Sequence, residues 1–148
     1  MELPAPQPID APEWQGVPGV RAWPGALLLP LLVVWTLPQT LAGLVFAVRR
    51  RAQGHRLHLY AFGPFLYLVV RAPGPLTAGI SLGVVVFSSS PRILKHEFCH
   101  LVTGLWLSWL YLPVYGIEYL LVGHDRSPHE RLTCWLDRRL PWRWRCLV

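Results

Sequence analysis

Residues 26–48, ALLLPLLVVWTLPQTLAGLVFAV, run for 23 positions without one charged side chain. That stretch restricts the fold more than any other feature, because its length and polarity are what a helix needs to cross the roughly 30 Å hydrocarbon core of a bilayer. One transmembrane helix is therefore predicted over 26–48. Pro30 and Pro38 lie inside it. Bilayer helices tolerate proline better than soluble ones do, and a kink or a broken re-entrant pair is the alternative outcome. The rest of the chain agrees with a lipid partner, since 53% of its 148 residues are hydrophobic, richer than an ordinary soluble domain of that size.

Charge sets the orientation. The net charge of +6 comes from arginine, with Lys95 the single lysine. Much of it lies in short runs beside apolar segments, which favours anionic lipid head groups and argues against nucleic acid as a partner. Arg49, Arg50 and Arg51 close the apolar run, whereas the residues before it hold Glu2, Asp10 and Glu13 against Arg21. The positive-inside rule then places the C-terminal side in the cytoplasm. Residues 1–25 carry six prolines and no basic n-region, so they read as a disordered leader rather than a cleavable signal. Cys99, Cys134 and Cys146 form no C-x-x-C pair, a usage that fits a reducing compartment.

The remaining residues, 49–148, predict a small membrane-associated domain of α+β class. Residues 57–70 and 76–88 are aromatic and β-branched with RAPGP between them, which predicts two or three strands in a small hairpin or sheet. Ser88-Ser89-Ser90-Pro91 supplies cap hydroxyls and a proline for a first helical turn, so a helix begins near Pro91. Beyond it, the apolar stretch 101–122 is broken by Pro113 and Gly116. A helical hairpin bent near Pro113 keeps both basic regions on one side of the membrane, as the charge rule requires. Ser127-Pro128 opens a short last helix, and the Trp–Arg alternation of LPWRWRCLV reads as an interfacial anchor.

The predicted 91-onward helix carries His96-Glu97-Phe98-Cys99-His100. Histidines four apart share one helix face, so both imidazoles can reach a single zinc ion, Zn2+. Glu97 is then placed to act as general base toward an attacking water. Random placement would produce H-E-x-x-H in roughly one chain of this composition in a hundred, and three polar side chains in an apolar segment require a reason to be inside. A third protein ligand is needed to leave one position open for water. Several acids and histidines lie downstream and none stands out by itself. Glu118 would be costly to bury unpaired in the apolar stretch and reads equally well as an interfacial glutamate turned to water, while Glu130 lies in the first turn of the last helix, where dipole complementarity alone explains an acid. Asp137 reads as a surface ion pair, His124 and His129 as solvated loop residues, Cys99 as packing, and Trp106, Trp109 and Tyr111 as core or interface.

The order of elements around this motif resembles the gluzincin zinc peptidases in their most reduced, minigluzincin-like form. The phrase KHEFCHLVTGLWLSWLYLPVYGI is also similar to a group of small bacterial membrane proteins with H-E-x-G-H followed by an apolar hairpin. The likeness covers roughly residues 30–140, and only the motif is specific. It implies that 49–148 is a minimal zincin-like domain at the bacterial inner (plasma) membrane, hydrolysing peptides or membrane proteins. It implies a substrate-pairing strand just before the motif helix, at Val84 to Phe87. It further implies a glutamate ligand on the last helix in an E-x-x-A-D pattern. TCWLD aligns best with that pattern, setting Thr133 at the glutamate's place and Asp137 on the acid that supports the ligands from behind. With Thr133 there, Glu130 one turn earlier is the ligand expected, and Glu118 the alternative. Two other readings compete: a non-catalytic scaffold or adaptor of the same fold, and a small helical membrane subunit in which the motif is accidental.

Overall fold

A computed structural model of the chain describes residues 12–16, 20–73, 79–140 and 143–148. It is a mixed α+β fold in which helices cover both faces of one five-stranded sheet. The predicted transmembrane segment is not one helix. It divides into α1 (Trp23–Trp35) and α2 (Leu37–Ala52), bent by 102° at Thr36. Proline 38 is the cause: it has no N–H to offer the carbonyl of Val34, and its ring crowds that same carbonyl. Thr36 completes the break by turning its hydroxyl back to Leu32 O at 2.7 Å.

The strands β1 (Leu57–Phe62), β2 (Phe65–Val70), β3 (Gly79–Leu82) and β4 (Val85–Ser88) form two tight hairpins. β5 (Trp144–Cys146) completes the sheet, in the order β3-β4-β2-β1-β5. All neighbours are antiparallel except β2 and β4. The two apolar segments thus give four strands rather than two or three, because Gly63 and Gly83 each turn a chain that is continuous in hydropathy. Gly83 sits at φ +61, and a Cβ there would stand 2.1 Å from Thr40 Oγ1. Burial on both faces explains why these strands read as unbroken apolar runs instead of alternating ones.

One face carries Tyr60, Phe62 and Tyr67, and against it packs α3 (Pro91–Leu107). Phe98, fully buried, stacks on Phe62 and Tyr67 at ring-centroid distances of 4.6 and 5.5 Å. The motif helix is therefore fastened to the sheet by a residue inside the motif. The opposite face, with Leu66, Leu82 and Val85, meets α1 and α2, so closely at Gly25 and Gly43 that a Cβ would clash.

α3 begins at Pro91, capped by the Ser90 hydroxyl accepting from Ile93 N at 3.4 Å. It ends at Ser108, whose φ is +50, and α4 (Tyr111–Val122) folds back along it. By length and composition Pro91–Val122 would suffice for one membrane crossing. It is not straight, however. At 1.5 Å rise per residue a straight helix would separate residues 100 and 115 by roughly 22 Å, yet the rings of His100 and Tyr115 are 6.0 Å apart. The hairpin expected over 101–122 is there, with its bend at Ser108 instead of Pro113. The last helix, α5 (Pro128–Arg139), starts where the Ser127–Pro128 pair predicts, the Ser127 hydroxyl accepting from Glu130 N.

Two expectations about the ends change. Trp14 is buried and its carbonyl accepts a hydrogen bond from Tyr60 Oη at 2.9 Å, while Gly16 bridges to Arg145. Residues 12–16 of the presumed disordered leader thus pack on the sheet and its last residues, Trp23 to Gly25, open α1, while residues 1–11 and 17–19 of that expectation fall outside the described residues. The tail does not read as an anchor either, because Trp144–Cys146 pair with β1 as an edge strand. The alternation of Trp with Arg is the period-two pattern of a strand. Finally, β4 is hydrogen-bonded on both sides, so the Val84 to Phe87 segment has no free edge for a substrate. β3 is the outermost strand on that side.

Candidate metal centre

α3 presents His96 and His100 one turn apart, and α5 brings Glu130 to them. His96 Nε2 is 3.0 Å from Glu130 Oε1 and His100 Nε2 is 3.1 Å from Glu130 Oε2. The two Nε2 atoms are themselves 3.1 Å apart. Ligand atoms bound at roughly 2.0–2.1 Å to one tetrahedral zinc stand roughly 3.3 Å from each other, so the three groups already have the spacing of a ligand set. Glu130 Oε2 is buried and receives no well-directed hydrogen bond despite its distance from His100. A buried carboxylate oxygen left in that condition is costly, and a cation between the three groups would satisfy it. The residues present fit zinc.

The electrostatics agree. Burial alone would raise the Glu130 carboxyl, but the imidazoles of His100 and His96 at its oxygens outweigh burial and hold it far below the usual carboxylate range. Glu130 in turn raises His96, against the opposing effect of burial. Glu130 is anionic at neutral pH, as a zinc ligand must be.

Behind the ligands stands a hydrogen-bonded layer. His100 Nδ1, the ring nitrogen opposite the one facing Glu130, lies 3.2 Å from Thr133 Oγ1 and 3.3 Å from Tyr111 Oη. Thr133 also approaches Thr103 Oγ1 at 3.3 Å. Where the gluzincin pattern would have its glutamate, Thr133 therefore orients a histidine instead, the task of an outer-layer partner.

Glu97 is buried, and burial raises its carboxyl against the lowering pull of His100 and of the Ser81 hydroxyl. Ser81 Oγ lies 2.8 Å from Glu97 Oε2 and 2.6 Å from the Glu97 carbonyl. With one hydrogen, it donates to one of them at a time. On the same strand, a Cβ at Gly79 would come within 2.5 Å of Glu97 Oε1. β3 thus supplies both a donor and a gap shaped for this carboxylate.

The other candidates go elsewhere. Glu118 Oε2 accepts from Ser127 Oγ at 2.7 Å and His129 N at 3.1 Å, and its Oε1 faces His129 Nδ1 at 3.2 Å. It ties α4 to the start of α5 rather than approaching His96 and His100. Asp137 pairs with Lys95 at 3.0 Å, neither with an arginine beside it nor with a histidine of the motif. His129 is not solvated: its ring packs edge-on to Tyr111 and Tyr115. His124 is half exposed, with Nδ1 3.6 Å from Glu130 Oε2. Cys99 is buried, its thiol pushed up to about 12 by desolvation. Trp106 and Trp109 are exposed, while Tyr111 is core.

Sequence reasoning assigns no site role to Ser81, to Tyr111, which it reads as core or interface, or to Cys134. Cys134 Sγ sits 3.7 Å from Glu130 Oε1, and among the described residues His96, Glu130 and Cys134 make a compact group of metal-type donors. Ser81 alone had a visible signal, a hydroxyl in an otherwise apolar strand. No protein-family model, curated protein or solved structure matches the chain.

Proposed function

We propose that the chain is a membrane-attached, zinc-dependent metallopeptidase of gluzincin type, acting on peptides or membrane proteins at the cytoplasmic face of a bacterial inner membrane. The observation that carries this reading is the convergence of His96, His100 and Glu130 beside a buried Glu97. When bound, zinc lowers the pKa of water and polarises the scissile carbonyl. Glu97 takes a proton from the attacking water and delivers it to the leaving amine. Its burial supports this role, since a carboxyl with a raised pKa is better matched to proton transfer near neutral pH. Ser81 and the gap at Gly79 keep it in place.

The test is metal analysis joined to hydrolysis. Protein purified after expression in zinc-supplemented medium should hold one zinc per chain and cleave a fluorogenic peptide library, with activity abolished by a chelator and restored by zinc. Protein with no zinc would end the proposal. Thr133→Val should weaken zinc binding about 10-fold, the lower end for loss of an outer-layer partner, read by competition with a chromophoric chelator.

A second reading, a non-catalytic scaffold of the same fold, is favoured by Cys134. A thiolate as fourth ligand would close the coordination sphere, as structural zinc sites require. Cys134→Ser separates the two: zinc affinity is unchanged if the fourth position serves water, and falls sharply if it belongs to sulfur.

A further inference from the structure

We propose that the protein does not cross the membrane but inserts two clasped helical elbows, the α1–α2 bend and the α3–α4 bend, into one leaflet of a bilayer with anionic head groups. This rests on the membrane-attached part of the proposed function and is independent of the metal.

The first argument is the clasp. Breaking two helices frees carbonyls that hydrocarbon cannot solvate, and irregular backbone at membrane depth is tolerated only where protein satisfies it. Each elbow serves the other. Trp109 Nε1 donates to Val34 O at 3.3 Å, the very carbonyl that Pro38 cannot serve, and Trp35 Nε1 donates to Leu105 O at 2.7 Å. Ser108 Oγ donates to Trp35 O, and Gln39 Nε2 donates to Ser108 O. In water such breaks would need no reciprocal capping.

The second is what surrounds the clasp. Leu31, Val34, Trp35, Trp106, Trp109 and Leu110 are each more than half exposed, a continuous apolar tip rich in the aromatic residues that favour bilayer interfaces. Exposed apolar surface on this scale marks an interaction face.

The third is the placement of charge. Residues 22–48 and 101–117, the runs containing the two elbows, hold no charged side chain. The arginines and lysine of every helix that meets an elbow lie at its far end: Arg21 before α1, Arg49 to Arg51 closing α2, Arg92 and Lys95 opening α3, Arg126 beyond α4. The two acids inside these helices are held by protein, Glu97 buried beside Ser81 and Glu118 accepting from Ser127 and His129. With α1 of 13 and α2 of 16 residues, those ends stand roughly 20 Å from the bends. Neither helix alone spans a core of roughly 30 Å. Both reach into one leaflet with the arginines left among anionic head groups. His100, eight residues before Ser108 on α3, then lies roughly 12 Å from the tip, on the head-group side of the bend.

Labelling two ends of one chain tests this. The Arg21→Cys, Arg51→Cys double variant is reconstituted into sealed vesicles of phosphatidylcholine and phosphatidylglycerol. It is treated with an impermeant maleimide, then lysed and treated with a second maleimide of different mass, the parent's own cysteines being counted separately. Elbow insertion gives chains with the same label at both positions whatever their orientation. Chains with one label of each kind would mean a spanning helix and overturn the proposal. In parallel, Trp106→Ser with Leu110→Ser should lower vesicle binding about 10-fold or more with zinc content unchanged. Undiminished binding would overturn it as well. Because neither readout involves turnover, a protein without peptidase activity could still pass both.

Discussion

Replacing Glu97 with glutamine should leave one zinc bound and cut peptide hydrolysis by about 10²–10⁴-fold, the usual share of a positioned general base. At 1.36 kcal/mol per decade this is a loss of roughly 3–5 kcal/mol of transition-state stabilisation. The substitution isolates the proton-transfer role because little else changes. Glutamine has the same shape, fits the same gap beside Gly79, and retains a carbonyl oxygen to accept from the Ser81 hydroxyl, 2.8 Å away in the parent. His96, His100 and Glu130 keep their mutual spacing. The informative pair of measurements is zinc content and turnover on the same preparation. Zinc retained with turnover lost assigns Glu97 to the chemistry. Zinc retained with turnover intact would remove Glu97 from the chemistry and with it the proposed mechanism, whereas a zinc-loaded parent without turnover would leave the scaffold reading.

What the sequence disclosed about this site was the part encoded locally. A four-residue spacing and a helix start are read from neighbours in the chain, and Ser90, Pro91, Ser127 and Pro128 mark where α3 and α5 begin. The choice between Glu118 and Glu130 was not local. Both acids follow the motif, and only the fold-back at Ser108 determines which one returns to the histidines, a bend made by a serine at φ +50 that composition does not announce. The same limit explains Val84 to Phe87, whose strand character was legible but whose interior position was not, since sheet order depends on how the two hairpins dock. The C-terminal tail failed for another reason. Its Trp–Arg alternation satisfies both an interfacial anchor and a strand, and pairing with β1 outcompeted composition. At Thr36 the two prolines gave the warning, but hydropathy counts residues and is blind to a 102° bend.

The charge pattern and the fold make the same demand. A spanning helix over 26–48 together with an apolar hairpin over 101–122 required the chain to treat two similar sequences differently. The structure treats them alike, each bent once and each supplying donors to the other's freed carbonyls. The α3 helix joins this apolar tip to His96 and His100, so on the proposed reading anchoring and chemistry would share one rigid element, the arrangement that holds a site to within the tolerance catalysis needs.

Glu130→Gln is the complementary substitution, and its largest effect should be on metal. A neutral amide cannot replace the carboxylate that both imidazoles face at 3.0 and 3.1 Å, so zinc affinity should fall by more than the roughly 100-fold seen when only an outer-layer partner is lost. The effect is measurable without substrate. Zinc at about 100 times its dissociation constant stabilises a folded protein by about 2.7 kcal/mol, which for a chain of this length raises the melting temperature by about 8–10 °C. The parent should show that rise and Glu130→Gln should not. Glu118→Gln provides the opposite profile. It removes charge-assisted bonds from Ser127 and His129 that hold α4 to α5, costing about 1–3 kcal/mol of baseline stability, yet the zinc-dependent rise should survive. If the two variants exchanged profiles, Glu118 would be the ligand and the packing of α4 on α5 would have to differ from the one described.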